Sequence, residues 1–285
     1  MQSNAKPTFV FVHGAWHGAW CWSEVTRVLA ERGRASLALD LPGHGVTARF
    51  PASYLAQPQD SAALSTEPSS LAALTLTDYR DAVLKVIRGL TAHGSGPVIL
   101  VGHSLGGATI SAVTEAAPEL IRCVVYLTAF VPVRFPTVIQ YLQDPIFSES
   151  EVPPLFIADP AVTGCGRINH RSADLAYRAA DKSAFYGDVA DDAFAAFANL
   201  LTPDEPIQGF TTPAVLTPAR WGSVPRAYIR CTADRAIPIK VQDSMIAEAD
   251  AFTPQNRFVV KTMATSHSPF ASDPAALAAE LASLA

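Results

Sequence analysis

Short apolar runs recur along the chain, and segments with apolar residues at helical spacing separate them. The runs are rich in branched and aromatic residues, which is typical of strands buried on both faces of a parallel sheet. The runs cover residues 8–12, 35–39, 97–101, 123–127, 226–231 and 257–261. Helical spacing follows at about 23–32, 77–90, 105–116 and 239–249, and again after residue 273. This alternation predicts an α/β fold with a mainly parallel, doubly wound sheet of about six strands.

The alternation stops between Pro132 and about Pro213, where prolines and aromatic residues are frequent and strand signals are few. Two helices are expected there, at about 172–181 and 189–201. Because apolar helices inserted between strands of an α/β domain commonly cover its site, this segment is predicted to be a mostly helical cap. Its aromatic side chains are expected to pack mainly within the cap. The predicted domains are an α/β core of residues 1–131 and 214–285 and an inserted cap of residues 132–213.

A second irregular stretch, residues 46–74, is rich in proline, serine, alanine and glutamine and has no clear period. We interpret it as a surface insertion that borders the mouth of the active site. The chain as a whole has no long internal repeat and no Walker or dinucleotide-binding fingerprint.

The composition excludes several classes of protein. The chain has 285 residues, enough to bury a large core, and only 16% of them are charged. Its formal net charge of -5 leaves no basic footprint, so nucleic acid is not an expected partner. No apolar stretch is long enough to span a bilayer, and residues 1–8 lack the apolar core of a signal peptide.

The four cysteines point to a reducing compartment, since none forms a Cys-x-x-Cys pair. Cys123 and Cys231 lie in predicted buried strands. Reduced structural thiols fit a cytoplasmic protein, and the cysteine spacing does not fit a zinc site. We therefore expect a cytoplasmic protein with neither a membrane partner nor a metal.

The third predicted strand leads into residues 101–107, Val-Gly-His-Ser-Leu-Gly-Gly, and a helix follows. Gly-x-Ser-x-Gly between a strand and a helix indicates a nucleophile elbow. The glycines allow close approach of backbone segments, and the sharp turn strains the backbone of Ser104 and lifts its Oγ clear of the sheet. Ser104 is therefore the candidate nucleophile, and the alternative is an ordinary glycine-rich turn.

Two further polar residues follow later strands, in the order expected for this topology. Asp234 lies in the loop after the fifth strand, and His267 lies in the loop after the sixth. A serine hydroxyl is a poor nucleophile until a base removes its proton, so His267 is assigned as general base and later as general acid. Asp234 is expected to orient the imidazole and to stabilise its charged form.

The rival histidines and acids have structural interpretations. His103, next to the nucleophile, should point into the sheet, and His13 should brace the loop after the first strand. Asp243 lies on a predicted helix, and Asp273 caps one. The remaining candidates lie in predicted turns or in the cap: His44, His93 and His170.

Acyl transfer also needs N–H donors aimed at the developing oxyanion. The residue after the nucleophile supplies one donor, the N–H of Leu105. The loop of residues 13–15, His-Gly-Ala, is expected to supply the other from Ala15, and the alternative is a tight turn. Trp16 and Phe130 are expected to line the substrate pocket, and their alternative role is packing beneath the cap.

Together these residues resemble the serine α/β-hydrolases, and more closely the branch of plant methylesterases and hydroxynitrile lyases with its bacterial esterase relatives. The similarity covers nearly the whole chain and is weakest across 46–74 and in the cap. It is carried by residues 9–22, 37–45, 101–107, 221–238 and 242. The resemblance implies an α/β-hydrolase fold, a triad of Ser104, Asp234 and His267, oxyanion N–H groups from Ala15 and Leu105, no cofactor, and a homodimer.

Two departures separate the chain from the hydroxynitrile lyases of that branch. Those enzymes have threonine after the first histidine of the loop, where this chain has Gly14. They have lysine after the catalytic histidine, where this chain has Ser268. In the lyases, those two side chains act on the cyanohydrin and the leaving cyanide. Because this chain has neither of them, the resemblance favours an esterase.

The sequence therefore predicts a carboxylic ester hydrolase that cleaves an ester of a largely hydrophobic small molecule through an acyl-enzyme. Two other classes stay open: a lyase of the hydroxynitrile lyase type and a non-catalytic binder of small ligands on the same fold. The fold does not fix the ester, which could be a methyl ester, an aryl ester, a lactone or a polyketide-like intermediate.

Overall fold

The structure is a computed structural model that describes residues 6–285. The prediction that the chain begins without a signal peptide concerns residues 1–8, of which 1–5 lie outside the described residues. In the described part, no helix is long and apolar enough to cross a membrane. All four cysteines are buried and have free thiols.

Six strands form one parallel sheet in the order β2-β1-β3-β4-β7-β8. The predicted α/β fold with a parallel sheet of about six strands is therefore confirmed. Two short strands, β5 and β6, form a separate antiparallel ribbon. The strands are β1 (Phe9–Val12), β2 (Ser36–Leu39), β3 (Val98–Ser104), β4 (Ile121–Ala129), β5 (Cys165–Arg167), β6 (Asp204–Pro206), β7 (Arg226–Cys231) and β8 (Val259–Met263).

Burial explains why the central strands were visible as apolar runs. All four residues of β1 have no exposed surface, as expected for a parallel strand covered on both faces. The edge strand β8 differs, since Val259 is 53% exposed and Val260 is 42% exposed. The core therefore sits around β1, β3 and β4.

Helices flank the sheet, with α1 packed against α13 and α4 against α5. Helix α4 begins at a capping box, in which Thr75 and Asp78 satisfy each other's backbone N–H groups. The helices of the described residues are α1 (Ser23–Glu31), α2 (Ala52–Leu55), α3 (Ser61–Thr66), α4 (Leu76–Ala92), α5 (Gly106–Ala116), α6 (Val138–Gln143), α7 (Pro160–Thr163), α8 (Leu175–Tyr186), α9 (Asp191–Leu200), α10 (Ile207–Thr211), α11 (Ile239–Phe252), α12 (Pro269–Ser272) and α13 (Pro274–Ser283).

Several predicted boundaries differ from the structure by a few residues, and two of these differences have a clear physical cause. Strand β3 continues past its apolar run because Ser104 still pairs with Ala129 of β4, beyond an irregularity in the register. Helix α8 starts later than predicted because Asp174 accepts hydrogen bonds from the N–H groups of Ala176 and Tyr177 and so caps it.

Residues 46–74 contain two short helices, α2 and α3, which the sequence did not show. They have four and six residues, too few for an apolar period to appear. Asp60 caps α3 through the N–H groups of Ala62 and Ala63. None of residues 46–74 lines the cavity at Ser104, and the interpretation that they border the mouth of the site stays a prediction.

Residues 132–213, called here the inserted segment, leave the sheet after β4 and return to it before β7. They hold α6 to α10 and the ribbon of β5 and β6. Several of their aromatic side chains lie over the carboxyl ends of the strands, where Ser104 is located. The division of the chain into a core and a cap domain stays a prediction.

A buried ion pair holds the ribbon of the inserted segment together. Arg167 on β5 donates to both carboxylate oxygens of Asp204 on β6, at 2.6 and 2.8 Å, and both side chains are almost fully buried. The same guanidinium donates to the carbonyl oxygens of Leu64 and Glu67 at 2.5 and 2.8 Å. Residues 46–74 are thereby tied to the inserted segment.

Removal of this carboxylate should destabilise the fold strongly. Asp204→Ala leaves the buried guanidinium without its counter-charge, and the free energy of unfolding should fall by about 3 kcal/mol or more. Urea denaturation followed by circular dichroism measures this change. Glu149→Ala, which breaks the exposed pair with Lys240, is the control and should change it far less. Equal effects of the two substitutions would contradict a supporting role for the buried pair.

Candidate active site

The three residues proposed for catalysis follow three strands of one parallel sheet. Ser104 is the last residue of β3, Asp234 comes shortly after the end of β7, and His267 comes shortly after the end of β8. The carboxyl ends of parallel strands lie at one edge of the sheet, which is where ligands of such sheets bind.

Backbone strain marks the same edge. Among residues 6–285, the residues other than glycine with positive φ are Trp16 at 61°, Ser104 at 54° and Thr128 at 35°. They lie near the ends of the neighbouring strands β1, β3 and β4. Such conformations cost about 1–3 kcal/mol each and persist only where the surroundings hold them, which is common at functional sites.

Two glycines permit the close approach of the loop after β1 to this turn. A Cβ atom on Gly14 would lie 2.7 Å from Ser104 Cβ. A Cβ atom on Gly106 would lie 2.5 Å from the carbonyl oxygen of His13. Neither backbone could give way without shifting the elbow, so only glycine fits at both positions.

His267 and Asp234 form a buried pair. His267 Nδ1 lies 2.7 Å from Asp234 Oδ2, and the two side chains are 1% and 0% exposed. Because a carboxylate only accepts, Nδ1 carries the proton and Nε2 is left as the base. The other carboxylate oxygen accepts from the N–H groups of Ala236 and Ile237 at 2.7 and 2.8 Å.

Thr128 is a site residue that the sequence analysis missed. Its hydroxyl donates to the same oxygen of Asp234 that faces His267. The strained backbone of Thr128 aims the hydroxyl at this oxygen. A threonine at the end of an apolar strand gives no signal of positive φ, so no sequence pattern identified it.

His103 holds the backbone of His267. It is fully buried, and its Nε2–H donates to the carbonyl oxygen of His267 at 2.8 Å. The two rings lie 4.5 Å apart between centroids. Among the described residues, no hydrogen bond joins Ser104 Oγ to His267. Proton transfer between them requires Nε2 to close on Oγ, and such bonds often tighten only in the reacting complex.

The backbone N–H groups of Ala15 and Leu105 are the predicted oxyanion donors. Ala15 and Leu105 line the same cavity as Ser104. Within residues 6–285, neither backbone N–H donates to a protein acceptor. Leu105 also precedes α5 as its N-cap, where the partial positive charge of a helix N-terminus favours an anion.

The cavity beside Ser104 is apolar. Both residues predicted for the pocket, Trp16 and Phe130, line it. No charged side chain of the described residues does so. Its free volume is about 30 Å³, far below the several hundred Å³ of a typical ligand site, so a substrate enters only when lining side chains move. The apolar lining consists of Trp16, Leu105, Phe130, Leu142, Phe147, Val152, Phe156, Phe185, Phe210 and Ile237, with Ala15 and Ala236.

Three other histidines, His13, His17 and His103, are buried and held neutral. Burial lowers the pKa of His17 to about 3. It also lowers the pKa of His13, with a contribution from nearby His44, and the pKa of His103, with a contribution from His267. In the described residues, no group of three or more potential ligands is arranged to hold a metal ion.

Comparison with known proteins defines the class. Residues 9–280 match the alpha/beta hydrolase family, and the chain belongs to that family. It is 28% identical to methyl jasmonate esterase 1 of Vitis vinifera, over 96% of this chain and 94% of the relative. It is 26% identical to methylesterase 1 of Arabidopsis thaliana, over 86% and 85% of the two chains.

Solved structures show the same fold. A crystal structure of polyneuridine aldehyde esterase superposes with a TM-score of 0.71 at 20% identity, over 98% of this chain and 99% of the other. A pyrethroid hydrolase superposes with a TM-score of 0.72 at 22% identity, over 98% and 96%. The predicted α/β-hydrolase fold and the resemblance to plant methylesterases are confirmed. The names of the two sequence relatives, methyl jasmonate esterase 1 and methylesterase 1, bear out the prediction of a carboxylic ester hydrolase.

The neutral histidines predict steep loss of stability in acid. A histidine of the unfolded chain titrates near pH 6.5, whereas His13, His17 and His103 have lowered pKa values in the folded state. Below about pH 6.5 the unfolded state binds more protons, so each histidine removes about 1.4 kcal/mol of unfolding free energy per pH unit.

His17→Gln isolates one of these contributions. Between pH 7.5 and 5, the wild-type protein should lose about 2 kcal/mol more unfolding free energy than the variant. Urea denaturation at both pH values measures it, and the difference at pH 7.5 serves as the internal control. If the difference in unfolding free energy between wild type and variant were the same at both pH values, His17 would take up its proton as readily in the folded as in the unfolded protein, which would contradict its lowered pKa.

Proposed function

We propose that this protein is a serine esterase that cleaves a carboxylic ester through an acyl-enzyme, with Ser104 as nucleophile. The observation that carries the proposal is the arrangement around Ser104: a strained elbow, a buried His267–Asp234 pair and two N–H groups without protein acceptors. Each part supplies one requirement of acyl transfer.

The reaction proceeds in two halves. Ser104 Oγ attacks the ester carbonyl while His267 Nε2 takes its proton, and the carboxylate of Asp234 stabilises the imidazolium. The N–H groups of Ala15 and Leu105 donate to the oxyanion of the tetrahedral intermediate. His267 then protonates the leaving alcohol, and water repeats the sequence on the acyl-enzyme to release the acid.

The apolar lining supports a largely hydrophobic, uncharged substrate. A charged acyl group would lose its hydration in a cavity without a countercharge. The relatives named as methyl jasmonate esterase and methylesterases support an ester of a small hydrophobic molecule as substrate. The cytoplasmic location, the homodimer and the cap domain remain predictions.

Cyanohydrin cleavage is the weaker proposal. A threonine in place of Gly14 would bring its Cβ within 2.7 Å of Ser104 Cβ. Ser268 is fully buried, so a lysine at that position would place an ammonium group in the protein interior. The intact set of site residues also argues against a protein that only binds its ligand.

Variants of the site residues should separate catalysis from binding. With p-nitrophenyl butyrate as substrate, Ser104→Ala should lower kcat by about 10⁴-fold or more, and His267→Gln by a similar factor. Release of p-nitrophenol measures both. Ser223→Ala, an exposed serine outside the cavity, is the matched control and should retain full activity.

The rates of hydrolysis of a panel of esters identify the substrate class. Neutral methyl, aryl and lactone esters with hydrophobic acyl parts should react faster than a carboxylate-bearing ester of equal size. Cyanide release from mandelonitrile should stay at background. Folded protein that releases cyanide, or that hydrolyses no ester of the panel, would contradict the esterase.

A further inference from the structure

Trp16, next to the proposed oxyanion donor Ala15, is held entirely by the inserted segment. Its backbone N–H donates to Glu205 Oε2 at 3.3 Å, and its indole N–H donates to the carbonyl oxygen of Gly166 at 2.9 Å. Its carbonyl oxygen accepts from the N–H and the hydroxyl of Thr202, at 2.9 and 3.2 Å. The loop that contains Trp16 is therefore held by hydrogen bonds to β5, to β6 and to Thr202 just before β6.

The peptide between Ala15 and Trp16 is fixed at both ends. The Trp16 N–H points at Glu205, and the Ala15 carbonyl oxygen accepts from His17 Nδ1 at 2.7 Å. A planar peptide held at both ends leaves its preceding residue little rotational freedom. The Ala15 N–H itself belongs to the preceding peptide, whose Gly14 carbonyl oxygen accepts from His13 Nδ1 at 2.8 Å. The direction of this N–H therefore depends on the Ala15–Trp16 peptide together with that bond.

Glu205 is a buried carboxylate that joins three parts of the chain. It is 1% exposed and accepts from Trp16 N, from the hydroxyl of Tyr79 on α4 at 3.0 Å, and from His44 Nε2 at 2.9 Å. It lines a small cavity directly behind Ala15 and Leu105. A carboxylate in this position is costly to bury unless its charge is compensated.

His44 supplies that compensation. Its Nδ1 faces the carbonyl oxygen of Pro42 at 3.2 Å and its Nε2 faces Glu205, so both nitrogens lie against acceptors and both must donate. Burial alone lowers the pKa of His44, but the charge and hydrogen bond of Glu205 outweigh it and raise that pKa overall. The imidazolium cancels the negative charge that would otherwise oppose the oxyanion.

We propose that Glu205, paired with His44, is a positioning residue for the oxyanion hole, because it holds Trp16 and thereby fixes the N–H of Ala15. This role rests on the proposed esterase chemistry at Ser104. Glu205 touches no reacting atom and acts through the loop alone. Since the oxyanion forms only after attack, loss of Glu205 should reduce the stabilisation of the transition state and leave substrate binding nearly unchanged.

The experiment compares Glu205→Ala and Glu205→Gln with the wild-type protein. Glu205→Ala should lower kcat for p-nitrophenyl butyrate by about 10- to 100-fold, with KM within about 3-fold, because one oxyanion donor is misplaced. Glu205→Gln keeps an oxygen that can accept from Trp16, so its kcat should fall less than that of the alanine variant.

Two ketone inhibitors distinguish a misplaced oxyanion donor from a general structural defect. An alkyl trifluoromethyl ketone adds to Ser104 and forms an oxyanion, whereas the matching methyl ketone binds without one. The inhibition constant of the trifluoromethyl ketone should rise by the same factor by which kcat falls, and that of the methyl ketone should stay within about 3-fold.

Asp181→Asn is the matched control. Asp181 is also a buried carboxylate of the inserted segment, and it faces a histidine, His170, at 3.0 Å. Among the described residues, it makes no hydrogen bond to the loop after β1 that contains Ala15 and Trp16. The kcat of the Asp181→Asn variant and its inhibition constants for both ketones should stay within about 3-fold of wild type.

The positioning role would be overturned if Glu205→Ala kept its kcat, or if it weakened both ketones equally. Should the alanine variant not fold, Glu205→Gln decides by the same comparison of the two ketones, after circular dichroism has shown that it is folded. A wild-type protein without Ser104-dependent esterase activity would instead overturn the proposed function, and the positioning role with it.

Discussion

The left-handed backbone at Ser104 is the constraint around which the site is built. An L-residue adopts this conformation only when its surroundings hold it. Strand pairing provides the hold, since Ser104 pairs with Ala129 and its carbonyl oxygen accepts from the N–H of Phe130 at 3.1 Å. Gly14 lets the loop after β1 approach the turn, and a Cβ at that position would leave no room for the loop. Ser104 and the proposed oxyanion donors thus lie at one close contact between two strand ends.

The inserted segment takes part in this contact as well as in covering the cavity. Trp16 is bonded through its backbone and its indole to Gly166, Thr202 and Glu205. The ribbon that carries these partners is in turn held by Arg167, which also binds the carbonyl oxygens at the end of α3. Residues 46–74 therefore support the loop after β1 through two layers of buried polar contacts.

The sequence indicated the parts of this structure that rest on apolar spacing or on glycine. The central strands appear as continuous apolar runs because they are buried on both faces, and the glycines around Ser104 mark the elbow. Buried polar contacts produce no comparable pattern in the sequence. No sequence pattern identified Asp204 and Glu205 as buried, because a charge is buried only with a partner and their partners Arg167 and His44 are far away in the sequence. Strands β5 and β6 were missed because they have three residues each and no apolar run, and Thr128 was missed because its positive φ has no sequence signal.

Covalent trapping of the nucleophile tests the role of Ser104 most directly. The folded protein would be treated with an alkyl p-nitrophenyl phosphonate, digested and mapped by mass spectrometry. If Ser104 is the activated nucleophile, one phosphonyl group attaches to the peptide that contains it, and Ser104→Ala remains unlabelled. A folded protein that is not labelled, or that carries the label on another residue, would contradict a serine esterase centred on Ser104.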